Sequence, residues 1–320
     1  MKISGFSFVR NGVKLYYPVA ESIRSLLPLC DEVIVAVGQG DPDDTTREAL
    51  AAIDDPKIRI IDTVWEERYQ QKGAINAVQT DIALRACSGD WCFYLQADEV
   101  VHERFLPLIR ERCEQLLEDE EVEGLLFNYR HFWGDYDHCH NLHGWYPHEI
   151  RLVRNRPHIH SWQSAQSFRS FDYWEHPRQP EGTRKLRVAS VAAEIFHYGW
   201  VRPPKLMQNK RRALDSVHWG RQRAARHYDQ APQEFDYGPL DRVPRFTGTH
   251  PAVMREMISR INWQDKLQQS GRPNRLREPH KHERFKYRLL TWLEQRWLGG
   301  HQLGGFRNYR LLKGKQEKQI

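Results

Sequence analysis

Cysteine is scarce in this chain, with five in 320 residues, and the number is odd. Cys30, Cys87, Cys92, Cys113 and Cys139 are scattered and three sit in apolar segments, which excludes a disulfide framework and fits a reducing compartment. Long apolar runs are also missing. Nowhere do about 18 apolar residues follow one another, so a membrane-spanning helix is excluded. Nothing at the amino terminus resembles a signal peptide, because Met1 leads straight into the strand-like stretch from Ile3 to Val9; a cytoplasmic protein is expected. Internal repeats and low-complexity segments are absent, which excludes a solenoid. An acidic excess is absent too: the formal net charge is +6.

What is present is enough to fold. A 40% hydrophobic content supplies a core for one large domain or two modest ones. Basic residues cluster from Lys205 to Arg226 and from Arg272 to Lys318, which points to anionic partners such as phosphate groups or an anionic membrane face. Eleven tryptophans and thirteen tyrosines, many in polar contexts such as Trp133, Trp145, Tyr146, Trp162 and Trp200, offer faces on which sugars and bases stack.

From residue 3 to about 130, strand and helix signals alternate, as in βαβ units with a largely parallel sheet. Strands are expected at Ile3 to Val9, Glu32 to Gly38 and Lys57 to Ile61. Helices are expected at Val19 to Leu29, Thr45 to Ile53, Ile75 to Ala86 and Phe105 to Leu117. Beyond Glu123 the pattern changes to strands at Gly124 to Phe132, Glu149 to Arg154 and Val188 to Tyr198, then a basic helix from Lys205 to about Trp219. Ala231 to Pro251 reads as extended loop, and helices are expected at Pro251 to Gln269 and Glu283 to Trp297. Three parts follow: 1–122, 123–220, and a loop-rich, helical extension over 221–320.

The most informative segment is Trp91-Cys92-Phe93-Tyr94-Leu95-Gln96-Ala97-Asp98-Glu99-Val100, an apolar strand that stops on two acids. At the carboxyl end of a central parallel strand such acids face the ligand crevice, and hard oxygen ligands there suit a divalent metal and a phosphate. The competing reading is that Asp98 and Glu99 cap the following helix.

The ordered set of strand, polar loop, strand, Gly89-Asp90-Trp91, apolar strand and acid pair resembles the family 2 glycosyltransferases of GT-A fold over about residues 2 to 200. The resemblance implies an α/β, Rossmann-like, mostly parallel central sheet flanked by helices. It implies a nucleotide-sugar donor and a divalent metal, Mn²⁺ or Mg²⁺. Gln96-Ala97-Asp98 matches the family's Asp-x-Asp motif with an amide for the first acid, so Asp98 inherits the metal and Gln96 and Ala97 lie against the nucleotide. His197, closing a late strand in Phe196-His197-Tyr198-Gly199-Trp200, is the second metal ligand implied. Arg10 and Asn11, Asp43 and Asp44, Gly73 and Gln79 match nucleotide-contacting positions. Gly38 opens the Gly38-Gln39-Gly40 stretch that stands where the family usually carries an acid to read the base, and Asp81 stands where it carries an Asn.

Inverting transfer needs a base for the acceptor hydroxyl. Gly144 to Arg154 resembles the corresponding stretch of lipopolysaccharide-core transferases and implies Glu149, with Asp135 and Asp137 as rivals; an ion pair of Glu149 with Arg151 or Arg154 is the alternative. The acceptor implied is a glycan or lipid-linked saccharide of a cell-surface polysaccharide. His131, His138, Cys139, His140, His143 and His148 crowd one loop, a spacing that zinc can use, but no second Cys pair supports it and the loop reads as acceptor-lining. Phe285, Leu289, Leu290, Trp292, Leu293 and Trp297 among Lys286, Arg288 and Arg296 describe a helix able to lie on an anionic membrane, which would place the protein at the inner membrane face. Nucleic acid is not an expected partner. The rival functions are a nucleotidyltransferase, for which Arg10-Asn11-Gly12 is too short a phosphate loop, and a non-catalytic basic polyanion-binding protein of the same fold.

Overall fold

The computed structural model describes residues 1–299 and 302–316, so the end of the basic run to Lys318 lies outside the described residues. The first half is the expected alternation: β1 (Ile3–Val9), α1 (Val19–Leu26), β2 (Glu32–Gly38), α2 (Thr46–Ala51), β3 (Ile58–Thr63), α3 (Ala74–Arg85) and β4 (Trp91–Tyr94). A short β5 (Glu99–Val101) and α4 (Leu106–Gln115) follow. The second half is strand-rich, with β6 (Gly124–Trp133), β7 (Cys139–His140), β8 (His148–Arg154), β9 (Ile159–Trp162), β10 (Ser167–Phe171) and β11 (Thr183–Trp200). Then come α5 (Pro204–Trp219), α6 (Arg221–Tyr228), a short α7 (Arg255–Ser259), α8 (Phe285–Trp297) and β12 (Tyr309–Leu311).

The sheet runs β3-β2-β1-β4-β8-β6-β11-β10-β9, with β5 and β12 also on β11 and β7 on β6. The strands β3, β2, β1 and β4 are mutually parallel. β8 runs against both its neighbours, β4 and β6, and β10 against β11 and β9, while β6 is parallel to β11. The α/β class and the mostly parallel sheet flanked by helices are therefore present. The carboxyl ends of β1, β4, β6 and β11 share one edge, where open α/β sheets bind their ligands.

Burial on both faces explains the near-continuous apolar strands. Val33, Val35 and Val37 of β2, with Trp91 and Phe93 of β4, enter one core, together with Ile23 and Leu26 of α1 and Ile109 of α4. Their alternates, Ile34, Ala36, Cys92 and Tyr94, enter a second core with Ala83 and Leu84 of α3. The period of two thus divides each strand between two layers of helix.

Three expectations are corrected. The strand opening at Trp91 ends at Tyr94, and Glu99 starts β5, paired with β11 through His197, rather than the first turn of a helix. The helix expected over Pro251 to Gln269 shrinks to Arg255–Ser259, because the chain turns inward to bury Trp263, whose indole Nε1 donates to the Gly134 carbonyl at 2.9 Å. Strands β9 and β10 and helix α6 were not anticipated. All five cysteines are free and buried.

Candidate active site

Asp98 follows β4 by four residues, and His197 lies three residues before the end of β11, so both arrive at the carboxyl edge of the sheet. Both are buried. Asp98 Oδ2 stands 3.7 Å from His197 Nε2. Between them lies the backbone of Gly199: a Cβ there would come within 2.7 Å of Asp98 Oδ2 and closer still to His197 Nε2. Glycine is what allows the two side chains to converge.

The tautomer of His197 follows from a hydrogen-bond chain. His131 Nε2 lies 2.8 Å from the Tyr146 carbonyl, which can only accept, so Nε2 carries the proton. Burial, and then the neighbouring His197, push the His131 pKa well below its usual value, so the ring is neutral and its Nδ1 has a lone pair. That Nδ1 is 2.9 Å from His197 Nδ1, which must therefore be the donor. In the neutral ring the lone pair then lies on Nε2, which faces Asp98. This assignment rests on the hydrogen-bond network, and it is the arrangement in which one histidine nitrogen is oriented by its partner while the other is free to bind a metal.

A cation already stands at Asp98. Lys210 Nζ of α5 lies 2.9 Å from Asp98 Oδ2 and 2.7 Å from the Gly199 carbonyl, 4.8 Å from the centre of the Tyr17 ring. Burial opposes charge on Asp98, but Lys210 outweighs it and holds the carboxyl well below the usual range. The lysine feels burial more than its partner: its pKa falls to about 8, lowered further by nearby Arg202.

These groups open into a cleft of about 700 Å³ that runs from β1 to α5. At one end Arg10 stacks over Trp65, 5.4 Å from the ring centre, and Gly38 has no Cβ because Trp65 lies against it. Asn11, at φ 55°, accepts from the Asp41 amide at 2.7 Å through Oδ1. Asp41, Asn76, Gln96 and Ala97 also line this cleft. The Gln96 amide donates to the Ala165 carbonyl at 2.9 Å, a bond that a carboxylate could not make.

The other expected residues divide. Asp43 and Asp41 pair with Lys14 at 2.6 and 2.8 Å, and Asp44 accepts from the Lys14 amide at 3.2 Å and from Thr46 at 2.8 Å, so all three fasten the loop around Lys14, and Asp41 also lines the cleft. Gly73, at φ 75°, packs under His218 of α5. Gln79 is buried against the Val64 carbonyl, and Asp81 holds His160 at 2.9 Å and the Ser161 amide at 2.7 Å. Asp135 and Asp137 sit together on the β6–β7 turn, where Asp135 accepts from the Asp137 amide and His138, and neither lines the cleft.

Glu149 is buried and does not itself line the cleft, but Gln166, which does, donates to its Oε1 at 3.3 Å. Its Oε2 has no hydrogen-bond partner. Burial, opposed in part by Arg151, lifts its pKa to about 7. Arg151 is engaged by Glu99 and Arg154 by backbone carbonyls such as Leu117, so no arginine is paired with Glu149. Among the described residues no group of three or more His, Cys, Asp and Glu forms a metal cluster, which leaves the zinc alternative without a site.

Sequence reasoning missed Lys210, Trp65, Asp41 and Gly199. Trp65 carried a signal, as an aromatic just after an edge strand; Lys210 carried none beyond its basic helix.

No protein-family model matches the chain, and no curated protein matches it. Among solved structures, the glucosyl-3-phosphoglycerate synthase of Mycobacterium tuberculosis in complex with Mn²⁺, UDP and glucosyl-3-phosphoglycerate is similar at 22% identity and a TM-score of 0.30. That likeness covers 40% of this chain and 44% of the other. S. aureus TarS is similar at 11% identity and a TM-score of 0.36, over 67% of this chain and 39% of its own. TarS 1–349 with UDP-GlcNAc gives 18% identity and 0.30, over 42% and 36%. The chain thus spans less than half the length of these structures. Likenesses this low add nothing to the geometry above.

Proposed function

We propose that the protein is a glycosyltransferase that moves a sugar from a nucleotide-sugar donor to an acceptor hydroxyl with inversion. The observation that carries this reading is the convergence of Asp98 and an oriented His197 Nε2 at the ligand edge of the sheet, in a cleft with a tryptophan platform at one end. The donor set suits a hard divalent ion, since Mn²⁺ or Mg²⁺ needs few protein ligands when phosphate oxygens complete its sphere. Gly199, which a Cβ would turn into a clash with both ligands, supports the same reading. Such an ion, held by Asp98 and His197, would neutralise charge on the departing diphosphate.

The chain's own groups do the rest. Trp65 offers its face to the base, and Arg10 above it and Asn11 beside it meet ribose or phosphate. Glu149, one hydrogen bond behind the cleft-lining Gln166 and with a pKa raised to about 7, is the group to which this reading gives the role of base near neutrality. Phe285, Leu289, Trp292 and Trp297 on α8 are exposed beside Lys286, Arg288 and Arg296. This face supports contact with an anionic membrane where a lipid-linked acceptor resides. No helix among the described residues is long and apolar enough to cross a membrane.

The test is a thermal-shift panel of nucleoside diphosphates and nucleotide sugars with and without Mn²⁺, because a ligand of the folded state raises the melting temperature by mass action. A Mn²⁺-dependent shift that Asp98→Asn abolishes is expected. If no nucleotide shifts the protein, or the shift ignores both metal and Asp98→Asn, the reading is wrong, and strongly salt-dependent binding to generic polyanion would favour the non-catalytic alternative.

A further inference from the structure

Lys210 is the unexplained feature of the cleft. Its ammonium, buried against Asp98 Oδ2 at 2.9 Å and the Gly199 carbonyl at 2.7 Å, lies on the oxygen that the proposed function gives to a divalent ion. A dication on that oxygen and an ammonium beside it repel strongly in so dry a place. One of them has to yield.

The structure shows which can. Asp98 is held by its carbonyl, which accepts from the Tyr198 amide at 2.8 Å, and His197 by its place in β11 and by His131, and Gly199 leaves no slack between them. Lys210 instead has a four-carbon stem on α5, where only Pro204 and Met207, both in the first turns, are buried. Compare α3, which buries eight of its residues. Met207, Lys210, Arg211, Leu214 and His218 recur at helical spacing along the cleft wall, so a lysine that leaves Asp98 stays within the same cleft. The cleft also gives it a destination, because a bound diphosphate would present oxygens there.

We infer that Lys210 is an exchangeable counter-ion, which neutralises Asp98 until the divalent ion arrives and then passes to a phosphate oxygen of the donor. This rests on the glycosyltransferase reading, whose metal and donor it involves. Lys210 thereby does two opposed things. It competes with the metal alone, and it assists the metal-bound nucleotide.

The experiment uses the full chain and Lys210→Met, which keeps the stem and removes the charge. Mn²⁺ binding is read directly by titration calorimetry or by the loss of free-Mn²⁺ paramagnetic resonance signal, and UDP binding is then read at saturating Mn²⁺. The expected result is a pair of opposite changes: Mn²⁺ alone binds about tenfold tighter to Lys210→Met, and UDP about tenfold weaker, each near 1.4 kcal/mol. Lys210→Arg retains the cation and should keep the weak Mn²⁺ affinity of the wild type. If Lys210→Met binds Mn²⁺ no better than wild type while wild type binds Mn²⁺ and UDP normally, the exchange is overturned and the glycosyltransferase reading stands. A fall in both affinities marks a merely structural lysine and also overturns it. If wild type and Lys210→Met alike bind neither Mn²⁺ nor UDP, both the exchange and the reading it rests on fall.

Discussion

Asp98 and Glu99 are neighbours in the chain, both buried and both paired with a cation, yet their surroundings differ at every atom. Glu99 is fully enclosed and receives Nε and Nη2 of Arg151 at 2.8 Å, the Tyr129 hydroxyl at 2.8 Å and the Gln96 backbone N–H at 3.0 Å. Arg151 is enclosed as well, between the Tyr94 and Tyr129 rings. Every lone pair has an answer within the core, and nothing there faces the cleft. Asp98 has one lysine from a lightly anchored helix, one histidine at 3.7 Å, and an open cleft in front of it. The turn at Ala97 and Asp98, closed by the Glu99 amide donating to the Gln96 carbonyl at 2.9 Å, has sent one acid into the wall and the other into the site. A saturated pair holds the architecture, and an unsaturated one is available for chemistry.

That contrast can be broken in order of expected size. Glu99→Gln leaves Arg151 buried with a neutral partner and should destabilise by about 3–5 kcal/mol, since a buried charge loses its counter-ion; urea unfolding followed by far-UV circular dichroism measures it. Asp98→Asn should cost far less, because Lys210 can turn to the solvent of the cleft. A loss of stability equal to that of Glu99→Gln would erase the distinction. Trp65→Ala removes the stacking platform and should weaken nucleotide binding by about 1–3 kcal/mol with the fold intact, as calorimetry would show.

A pH-dependent effect concerns Glu149. Its carboxyl is raised from 4.5 to about 7 in the folded protein, so the folded state holds that proton longer than the unfolded chain does. The associated stability is complete below pH 4.5 and is lost as pH rises to about 7. Glu149→Gln should remove this decline, which melting temperatures at pH 5 and pH 8 for both proteins would reveal. The same substitution should also abolish the rise of transfer rate through neutral pH; a rate that keeps its pH dependence would exclude Glu149 as the base.

Much of this was legible in the chain because the signals are local. The run Val33 to Val37 reads as a doubly buried strand from its own composition, and Trp91 to Tyr94 does likewise. Asp98 stands out because acids rarely end such strands. His197 stands out only by its position at the end of another, and its tautomer depends on His131, 66 residues away. Lys210 reaches Asp98 from 112 residues away, and one basic residue among many on a helix carries no mark of its partner. Gln96 appeared as a lost acid, whereas its amide is a donor to Ala165 across the cleft rim. The helix expected beyond Pro251 failed for the same reason: the burial of Trp263 against Gly134 outweighed the local preference.

Hydrophobic periodicity, turn residues and strand-ending acids determined the order of elements, the parallel half of the sheet and the edge at which Asp98 emerges, because these depend on neighbours a few residues apart. Which acid would be structural and which available, where Trp65 and Glu149 would lie, and that a lysine would stand on Asp98 were decided only by the tertiary structure. Those outcomes depend on burial and on partners brought together across more than 50 residues, and charge in a low-dielectric interior takes its meaning from those partners.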